Sequence, residues 1–166
     1  MNHVAFIGLG ANLGDAKAAL LKALDDIKAL PQARLLKASS LYRTAPVDAQ
    51  GPDFINAVAQ IETSLAPHEL LKALQGLENA AGRERSYRNA PRTLDLDVLL
   101  CVDEQGLVLQ LDEECDGLAL TLPHPRLRER AFVLLPLLEI APELVSGFVS
   151  ADDMAKIDYQ RIERLT

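Results

Sequence analysis

Two aspartates on one short segment carry the clearest chemical signal in this chain of 166 residues. Asp95 and Asp97 lie two positions apart, between leucines of an extended segment at 91–100. Side chains alternate along a strand, so both carboxylates face the same side. Two like charges this close repel each other unless a cation lies between them, and such oxygen ligands suit Mg²⁺. The alternative is a solvated strand face with two surface aspartates.

Positive charge is concentrated in two short segments of an otherwise acidic chain. The chain has 17 basic and 24 acidic residues, a net charge of −7, which disfavours binding to long nucleic acids or anionic membranes. Four arginines lie at 82–92 and three at 124–130, each group with one glutamate. Guanidinium groups and metal-binding carboxylates are the components of phosphoryl-group transfer, so a nucleotide is the expected partner.

Other candidate residues are less specific on their own. Gln75 and Glu78 share one face of a predicted helix, a pattern that on its own is more typical of an ordinary polar face. His124, between two prolines, suits either a hydrogen bond to a phosphate or a structural loop. Phe54 and Asn56 share a strand face, and an aromatic ring beside an amide suits a flat heteroaromatic ligand. A phenylalanine is nevertheless more often a core residue.

The elements that must position these residues follow the order β-α-β-β-α-β. Hydrophobic periodicity predicts strands at 3–10, 35–44, 54–63 and 93–102, and helices at 15–30, 67–81 and 131–140. Polar loops are predicted at 45–53 and 86–91. The order predicts an α+β fold with a ferredoxin-like antiparallel sheet, helices on one face and C-terminal additions. We expect residues 1–166 to form a single domain.

Several chemistries and locations are disfavoured. The chain has no P-loop motif, and Gly8, Gly10 and Gly14 miss the dinucleotide-binding spacing by one residue. Cys101 and Cys115 are too few for a disulfide scaffold. The longest apolar run is too short to span a bilayer. Since no export signal is evident, we expect a cytoplasmic protein with reduced thiols.

Taken together, the motifs resemble the 6-hydroxymethyl-7,8-dihydropterin pyrophosphokinase family. The most specific are the Pro-Arg-Thr-Leu-Asp-Leu-Asp run at 91–97 and the Pro-His-Pro-Arg run at 123–126. Further matches lie in family order at 8–15, 40–46, 54–57, 82–85 and 130–134. The resemblance implies a ferredoxin-like fold and transfer of the β,γ-pyrophosphoryl group of ATP to the pterin hydroxymethyl oxygen, with release of AMP. The resemblance also places the protein in folate biosynthesis. We expect the protein to be a monomer.

The resemblance also implies roles for individual residues. Asp95 and Asp97 would bind two Mg²⁺ ions, and Arg83 and Arg92 would stabilise charge on the transferring group. The residues implied to hold ATP are Gln75, Glu78, Arg83, Arg85, Arg92, Val98, Thr121, His124 and Arg130. The residues implied to bind the pterin are Phe54 and Phe132, which would sandwich the ring, with Asn56, Thr44 and Val47.

The sequence departs from the family pattern at a few positions. Asn89 lies where some members have a tryptophan, and Ala119 where relatives often have an ATP-contacting arginine. The segment at 103–117 is longer and more acidic than usual. We expect these changes to affect affinity and loop motion more than the type of reaction.

Two other functions are compatible with parts of the pattern. A metal-dependent phosphohydrolase would use the same aspartates and arginines, and it would release phosphate without a pterin. A non-catalytic small-molecule sensor would bind a ligand without turnover. The second function leaves the paired aspartates and the two basic segments without a purpose.

Overall fold

The computed structural model describes residues 2–12, 14–45, 52–82 and 94–165, and within them a six-stranded antiparallel sheet has helices on both faces. The strands are β1 (His3–Ala11), β2 (Ala33–Ala38), β3 (Tyr42–Thr44), β4 (Phe54–Thr63), β5 (Asp95–Val102), β6 (Leu111–Cys115), β7 (Leu118–Leu122) and β8 (Ile162–Arg164). The helices are α1 (Ala16–Lys28), α2 (Pro67–Ala81), α3 (Ala131–Ile140), α4 (Pro142–Ser146) and α5 (Ala151–Ile157), with a 3₁₀ turn at Leu127–Glu129.

The strand order of the main sheet is β5-β1-β4-β3-β8, and β2 pairs with β4. All of these pairings are antiparallel. The predicted combination of an antiparallel sheet and helices is therefore confirmed. The register matters for the site, because Gly10 of β1 lies opposite Asn56 of β4 on one side and Asp95 of β5 on the other.

The sheet has a hydrophobic core on each face. One core packs α1 and α2 against the sheet, with fully buried side chains such as Leu20, Ile61 and Leu74. The other packs α3 and the segments after it against the opposite face, through Phe6 and Leu134 among others. The helix α3 and the segments after it therefore form a second layer, and the sheet lies between the two layers.

An irregularity in β5 divides its side chains between the two cores. Phe6 pairs with Leu100 and the next residue, Ile7, pairs with Val98, so Leu99 is an extra residue in β5. Val98 packs with α1 and α2, whereas Leu99 and Leu100 both pack on the α3 side. This β-bulge changes the alternation just after the two aspartates.

Capping residues, a proline and a glycine mark the ends of the helices on the first face. Asp15 caps α1, since its carboxylate accepts a hydrogen bond of 3.0 Å from the amide of Ala18. Pro67 occupies the first turn of α2, where it needs no hydrogen-bond donor, and Gly82 follows the last turn. None of the helices in the described ranges is long and apolar enough to cross a membrane.

The single strand predicted at 35–44 is wrong, because the structure has two strands there. Ser39 still pairs with β4, donating its amide hydrogen to the carbonyl of Val58 at 2.9 Å. The next amide, that of Ser40, donates to the carboxylate of Glu139 on α3 instead. The backbone therefore leaves the sheet at Ser40 and rejoins it at Tyr42.

The acidic segment forms part of a separate two-stranded hairpin. β6 and β7 pair with each other, and Asp116 and Gly117 both have positive φ angles, of 53° and 79°, at the turn. Glycine adopts this conformation freely, and aspartate tolerates it better than most residues.

Candidate functional site

A cavity of about 590 Å³ opens on the α3 side of the sheet, above β1, β4 and β5. It brings together residues that are widely separated in sequence. Those predicted as site residues that line it are Thr44, Phe54, Asn56, Asp95, Asp97, Arg130 and Phe132. The cavity thus combines an aromatic and amide region, a carboxylate pair and basic side chains.

Two glycines of β1 form the floor of the cavity. A β-carbon on Gly10 would lie 2.9 Å from Oδ1 of Asn56, and one on Gly8 would lie 3.2 Å from Cδ2 of Leu99. Since Gly8 pairs with Asp97 and Gly10 with Asp95, the floor separates the carboxylates from the amide by the width of one strand. Any side chain at these two positions would reduce that space.

The amide side of the cavity is buried and internally hydrogen-bonded. Asn56 and Thr44 are buried, and Nδ2 of Asn56 donates a hydrogen bond of 2.9 Å to Oγ1 of Thr44. This bond fixes the orientation of the amide, so that Oδ1 faces the floor at Gly10 and can accept a hydrogen bond from a ligand. The ring of Phe54 is half-buried beside it. Together these residues suit a flat ring with polar edges.

The carboxylates of Asp95 and Asp97 are exposed on the cavity side of β5. Leu94, Leu96 and Val98, which alternate with them, are buried in the α1 and α2 core, as the pattern predicted. Within the described ranges, no group of three or more histidine, cysteine, aspartate or glutamate side chains could hold a metal ion. The pair nevertheless fits Mg²⁺, which often takes one or two carboxylates and completes its shell with water and phosphate oxygens.

Basic side chains also line the cavity. Arg126 and Arg130 both line it, and the guanidinium of Arg130 lies 5.4 Å from the centre of the Phe132 ring, within cation–π range. Guanidinium groups of this kind can form charge-assisted hydrogen bonds with anionic oxygens. A glutamate, Glu129, also lines this part of the cavity.

His124 is held by its own loop. Its backbone amide donates to the carbonyl of Leu99 at 2.7 Å, and its Nδ1 accepts a hydrogen bond of 3.1 Å from the amide of Arg126. Burial lowers the pKa of His124; Asp97 raises it, and Arg130 and Arg126 lower it further. The neutral ring that results carries its proton on Nε2, which is therefore a hydrogen-bond donor.

Several predicted site residues lie elsewhere. Among the described residues, Gln75, Glu78, Val98, Thr121 and His124 do not line the cavity. The side chain of Val98 is buried in the first core, and the hydroxyl of Thr121 donates to Asp112 at 3.2 Å across the β6–β7 hairpin. The predictions for Val47, Arg83, Arg85, Arg92 and Asn89 fall outside the described residues.

Glu78 has a structural contact that the sequence did not predict. Its Oε2 atom accepts a hydrogen bond of 2.9 Å from the backbone amide of Leu96, the residue between the two aspartates. β5 is the last strand on its side of the main sheet. Glu78 therefore ties α2 to the strand segment that carries both carboxylates.

The sequence analysis missed two cavity residues near the C-terminal end of the described chain. Tyr159 and Gln160 line the cavity, and Tyr159 is 80% exposed. They follow α5 and belong to none of the motifs. No periodicity or spacing in the sequence indicates that they lie near the aspartates.

Known proteins resemble this chain over most of its length. The model of the 7,8-dihydro-6-hydroxymethylpterin-pyrophosphokinase family matches residues 6–142. The 2-amino-4-hydroxy-6-hydroxymethyldihydropteridine pyrophosphokinase of Methylorubrum extorquens is 43% identical over 163 residues, which cover 97% of this chain and 98% of that protein. Its counterpart in Pseudomonas aeruginosa is 41% identical, with 96% and 95% of the two chains covered.

Solved structures support the fold. A crystal structure of Plasmodium falciparum HPPK-DHPS matches 86% of this chain with a TM-score of 0.64 at 13% identity, and this chain covers 42% of that one. An HPPK-DHPS structure in complex with substrates matches 96% of this chain with a TM-score of 0.66, also at 13% identity, and here 44% of the other chain is covered. From the family match and the full-length relatives, the chain belongs to the 7,8-dihydro-6-hydroxymethylpterin-pyrophosphokinase family.

Proposed function

We propose that this chain transfers the β,γ-pyrophosphoryl group of ATP to the hydroxymethyl oxygen of 6-hydroxymethyl-7,8-dihydropterin in folate biosynthesis. The observation that carries the proposal is one cavity in which Phe54 and Asn56 lie across a glycine floor from Asp95 and Asp97. A flat acceptor and a polyphosphate donor can meet there. Family membership supports the same reaction.

The aromatic and amide side of the cavity is the proposed pterin site. Phe54 comes from β4 and Phe132 from α3, so the two rings belong to different layers and can hold a flat ring between them. The fixed Oδ1 of Asn56 accepts from the polar edge of the pterin. Thr44 orients that amide, and Val47 is assigned to the same pocket from the family resemblance.

The carboxylate side is the proposed site of two Mg²⁺ ions. Asp95 and Asp97 would hold them, with water and phosphate oxygens as the remaining ligands. When bound, Mg²⁺ offsets phosphate charge and favours ionisation of the attacking hydroxyl. The protein contributes a fixed strand, and the backbone bond from Leu96 to Glu78 helps to hold that strand in place.

The basic side is the proposed ATP site. Arg130 and the Nε2 proton of His124 would contact phosphate oxygens, and the remaining proposed contacts are Gln75, Glu78, Arg83, Arg85, Arg92, Val98 and Thr121. In the reaction, the hydroxymethyl oxygen attacks the β-phosphorus, the bond from that phosphorus to the α-bridging oxygen breaks, and AMP leaves. The hydroxyl proton passes to solvent. Catalysis of this kind is mainly positioning and charge stabilisation, with Arg83 and Arg92 assigned to the transferring group.

We further propose a single domain, a monomer and a ferredoxin-like classification of the sheet. The two cores share one sheet, which supports a single domain. The described cysteines, Cys101 and Cys115, are both free thiols, which is ordinary in the reducing cytoplasm, the proposed location.

Chromatographic analysis of nucleotide products tests the proposed reaction. The protein is incubated with ATP, Mg²⁺ and 6-hydroxymethyl-7,8-dihydropterin, beside a control without pterin. We expect AMP and pterin diphosphate in equal amounts, formed only when pterin is present. Release of ADP or of phosphate without pterin would instead favour the phosphohydrolase. Ligand binding to folded protein without turnover would favour the sensor.

A further inference from the structure

The segment after α5 contributes to the lining of the cavity. Tyr159 and Gln160 both line it, although they are distant in sequence from every motif. Tyr159 is mostly exposed, whereas Gln160 is half-buried and its side chain is directed onto the start of α3. The side chain of Gln160 therefore has a specific place in the cavity wall.

Gln160 makes two hydrogen bonds to the backbone of another segment. Its Oε1 accepts from the amide of Ala131 at 2.9 Å, and its Nε2 donates to the carbonyl of Glu129 at 2.8 Å. Ala131 is the first residue of α3, and the N-cap residue, Arg130, makes no side-chain capping bond. The first amides of a helix lack partners within it, so Gln160 supplies a cap that Arg130 does not.

The two bonds lie on either side of Arg130. They fix the peptide groups before and after this residue, and thereby the direction in which its side chain leaves the backbone. The guanidinium of Arg130 in turn lies over the ring of Phe132. Gln160 thus fixes the short backbone segment that carries two cavity residues, the basic Arg130 and the aromatic Phe132.

The residues on both sides of Gln160 are anchored to the rest of the protein. Ile157, three residues before it, is buried in the second core, and Ile162, two residues after it, pairs with Thr44 of β3. Further along, Nε of Arg164 donates to Oγ of Ser40 at 3.0 Å. A side chain held on both flanks loses little additional freedom when it makes its hydrogen bonds.

We propose that Gln160 is a positioning residue for ATP binding, and that it acts by holding the backbone on both sides of Arg130. The inference rests on the proposed role of Arg130 in the ATP site. It extends that site to a residue outside the motifs.

Steady-state kinetics of Gln160→Met test the proposal, because methionine keeps the length of the side chain and lacks both polar groups. We expect the KM for ATP to rise about five-fold, the equivalent of one net hydrogen bond, with kcat within about two-fold of the wild type. A purely structural role would lower the active fraction, which reduces apparent kcat and leaves KM unchanged. Glu163→Ala is the matched control, since it removes the ion pair of 3.9 Å between the same segment and Arg43 of β3, and its KM should stay at the wild-type value.

A double-mutant cycle with Arg130→Ala shows whether the effect passes through Arg130. We expect Q160M to change KM less than two-fold in the R130A background, because the group that it positions is gone. An effect of the same size in both backgrounds would overturn the proposal. If Q160M does not fold, Gln160→Glu replaces it; this variant keeps the cap on Ala131 and loses the donor to Glu129, so KM for ATP should still rise.

The outcomes also separate this inference from the proposed ATP site. If R130A raises KM for ATP and Q160M does not, the inference fails and the ATP site stands. If R130A leaves KM unchanged, the assignment of Arg130 and the inference fail together. Pterin-dependent AMP formation by the wild type is independent of both results.

Discussion

A β-carbon on Gly10 would fall 2.9 Å from Oδ1 of Asn56, its cross-strand neighbour, which is closer than such atoms approach in proteins. The Asn56 amide cannot simply turn away, because its Nδ2 is bonded to Thr44. Because Gly10 has no side chain, the Asn56 amide can occupy its observed position, and the space above Gly10 remains part of the cavity. This contact explains why a residue without any functional group matters in the site.

We expect Gly10→Ala to weaken pterin binding. The methyl group displaces the Asn56 amide and costs about one hydrogen bond to the ligand, so the KM for the pterin should rise roughly ten-fold with KM for ATP little changed. Gly76→Ala is the control, because Gly76 lies in α2 with open space around its β-carbon position. It should raise the free energy of unfolding by about 0.5–1 kcal/mol and leave both KM values unchanged. An unchanged pterin KM in G10A would contradict this account of the floor.

Asp97→Asn should nearly abolish turnover and leave the fold intact. The amide keeps the shape of the side chain but removes one of two negative charges that would hold Mg²⁺, and we expect kcat to fall about 10²–10³-fold or more. Circular dichroism checks the fold, and the rate is measured across a Mg²⁺ titration. Asp25→Asn, on the exposed face of α1, is the matched control. A wild-type rate in D97N would exclude the metal assignment.

Replacement of Glu78 tests its role in holding β5. Glu78→Ala leaves the partly buried amide of Leu96 without this acceptor, and we expect the free energy of unfolding to fall by about 1–2 kcal/mol. Glu78→Gln retains an acceptor oxygen and should recover most of that loss in urea unfolding. If both variants lose the same stability, the carboxylate charge matters and the backbone bond does not.

The stability of the protein should depend on pH through Glu139. Burial raises the pKa of Glu139, but hydrogen bonds from Tyr42 and Ser40 outweigh it, so the pKa of this carboxyl is lowered from 4.5. A lowered folded-state pKa adds stability above the unfolded-state value, and this stability is lost as the pH falls through the folded-state value. Burial raises the pKa of Tyr42, and so does the hydrogen bond of 2.6 Å that its hydroxyl donates to Glu139, so that this pKa is about 12.

Urea unfolding of Glu139→Gln measures this dependence. At neutral pH we expect the free energy of unfolding to be about 1–2 kcal/mol below that of the wild type, as for a hydrogen-bonded charged group. Below about pH 4 the difference should shrink, because the wild-type carboxyl becomes protonated as well. A difference that is equal at both pH values would show that the charge of Glu139 contributes nothing.

The elements with strong local signals were predictable from the sequence. The predicted bounds of β4, α2 and α3 agree with the structure, since alternation marks the first, a proline and a glycine frame the second, and an apolar run marks the third. The break between β2 and β3 could not be predicted. Its cause is a carboxylate that lies 99 positions away in sequence from the Ser40 amide that it binds.

Some residues of the candidate site were also predictable from the sequence, and others were not. Asp95, Asp97, Phe54 and Asn56 belong to motifs, and the strand register brings them to one cavity. Gln160 has no local signal, because its role depends on the start of α3, 29 positions away. The predictions for Arg83, Arg85, Arg92 and Val47 stay predictions, because these residues lie outside the described ranges.

The pairing of β8 with β3 has a consequence for self-association. A long, bare edge strand is a template on which another chain can add, and this is a common start of aggregation. Here β8 covers β3 with three residues, two of them charged, so the outermost strand is short. At the opposite edge, Glu78 accepts a hydrogen bond from a backbone amide of β5. The backbone amides of His124 and Leu109 donate to two carbonyls of the same strand. The edges of the sheet at β3 and at β5 are thus protected against the addition of a foreign strand.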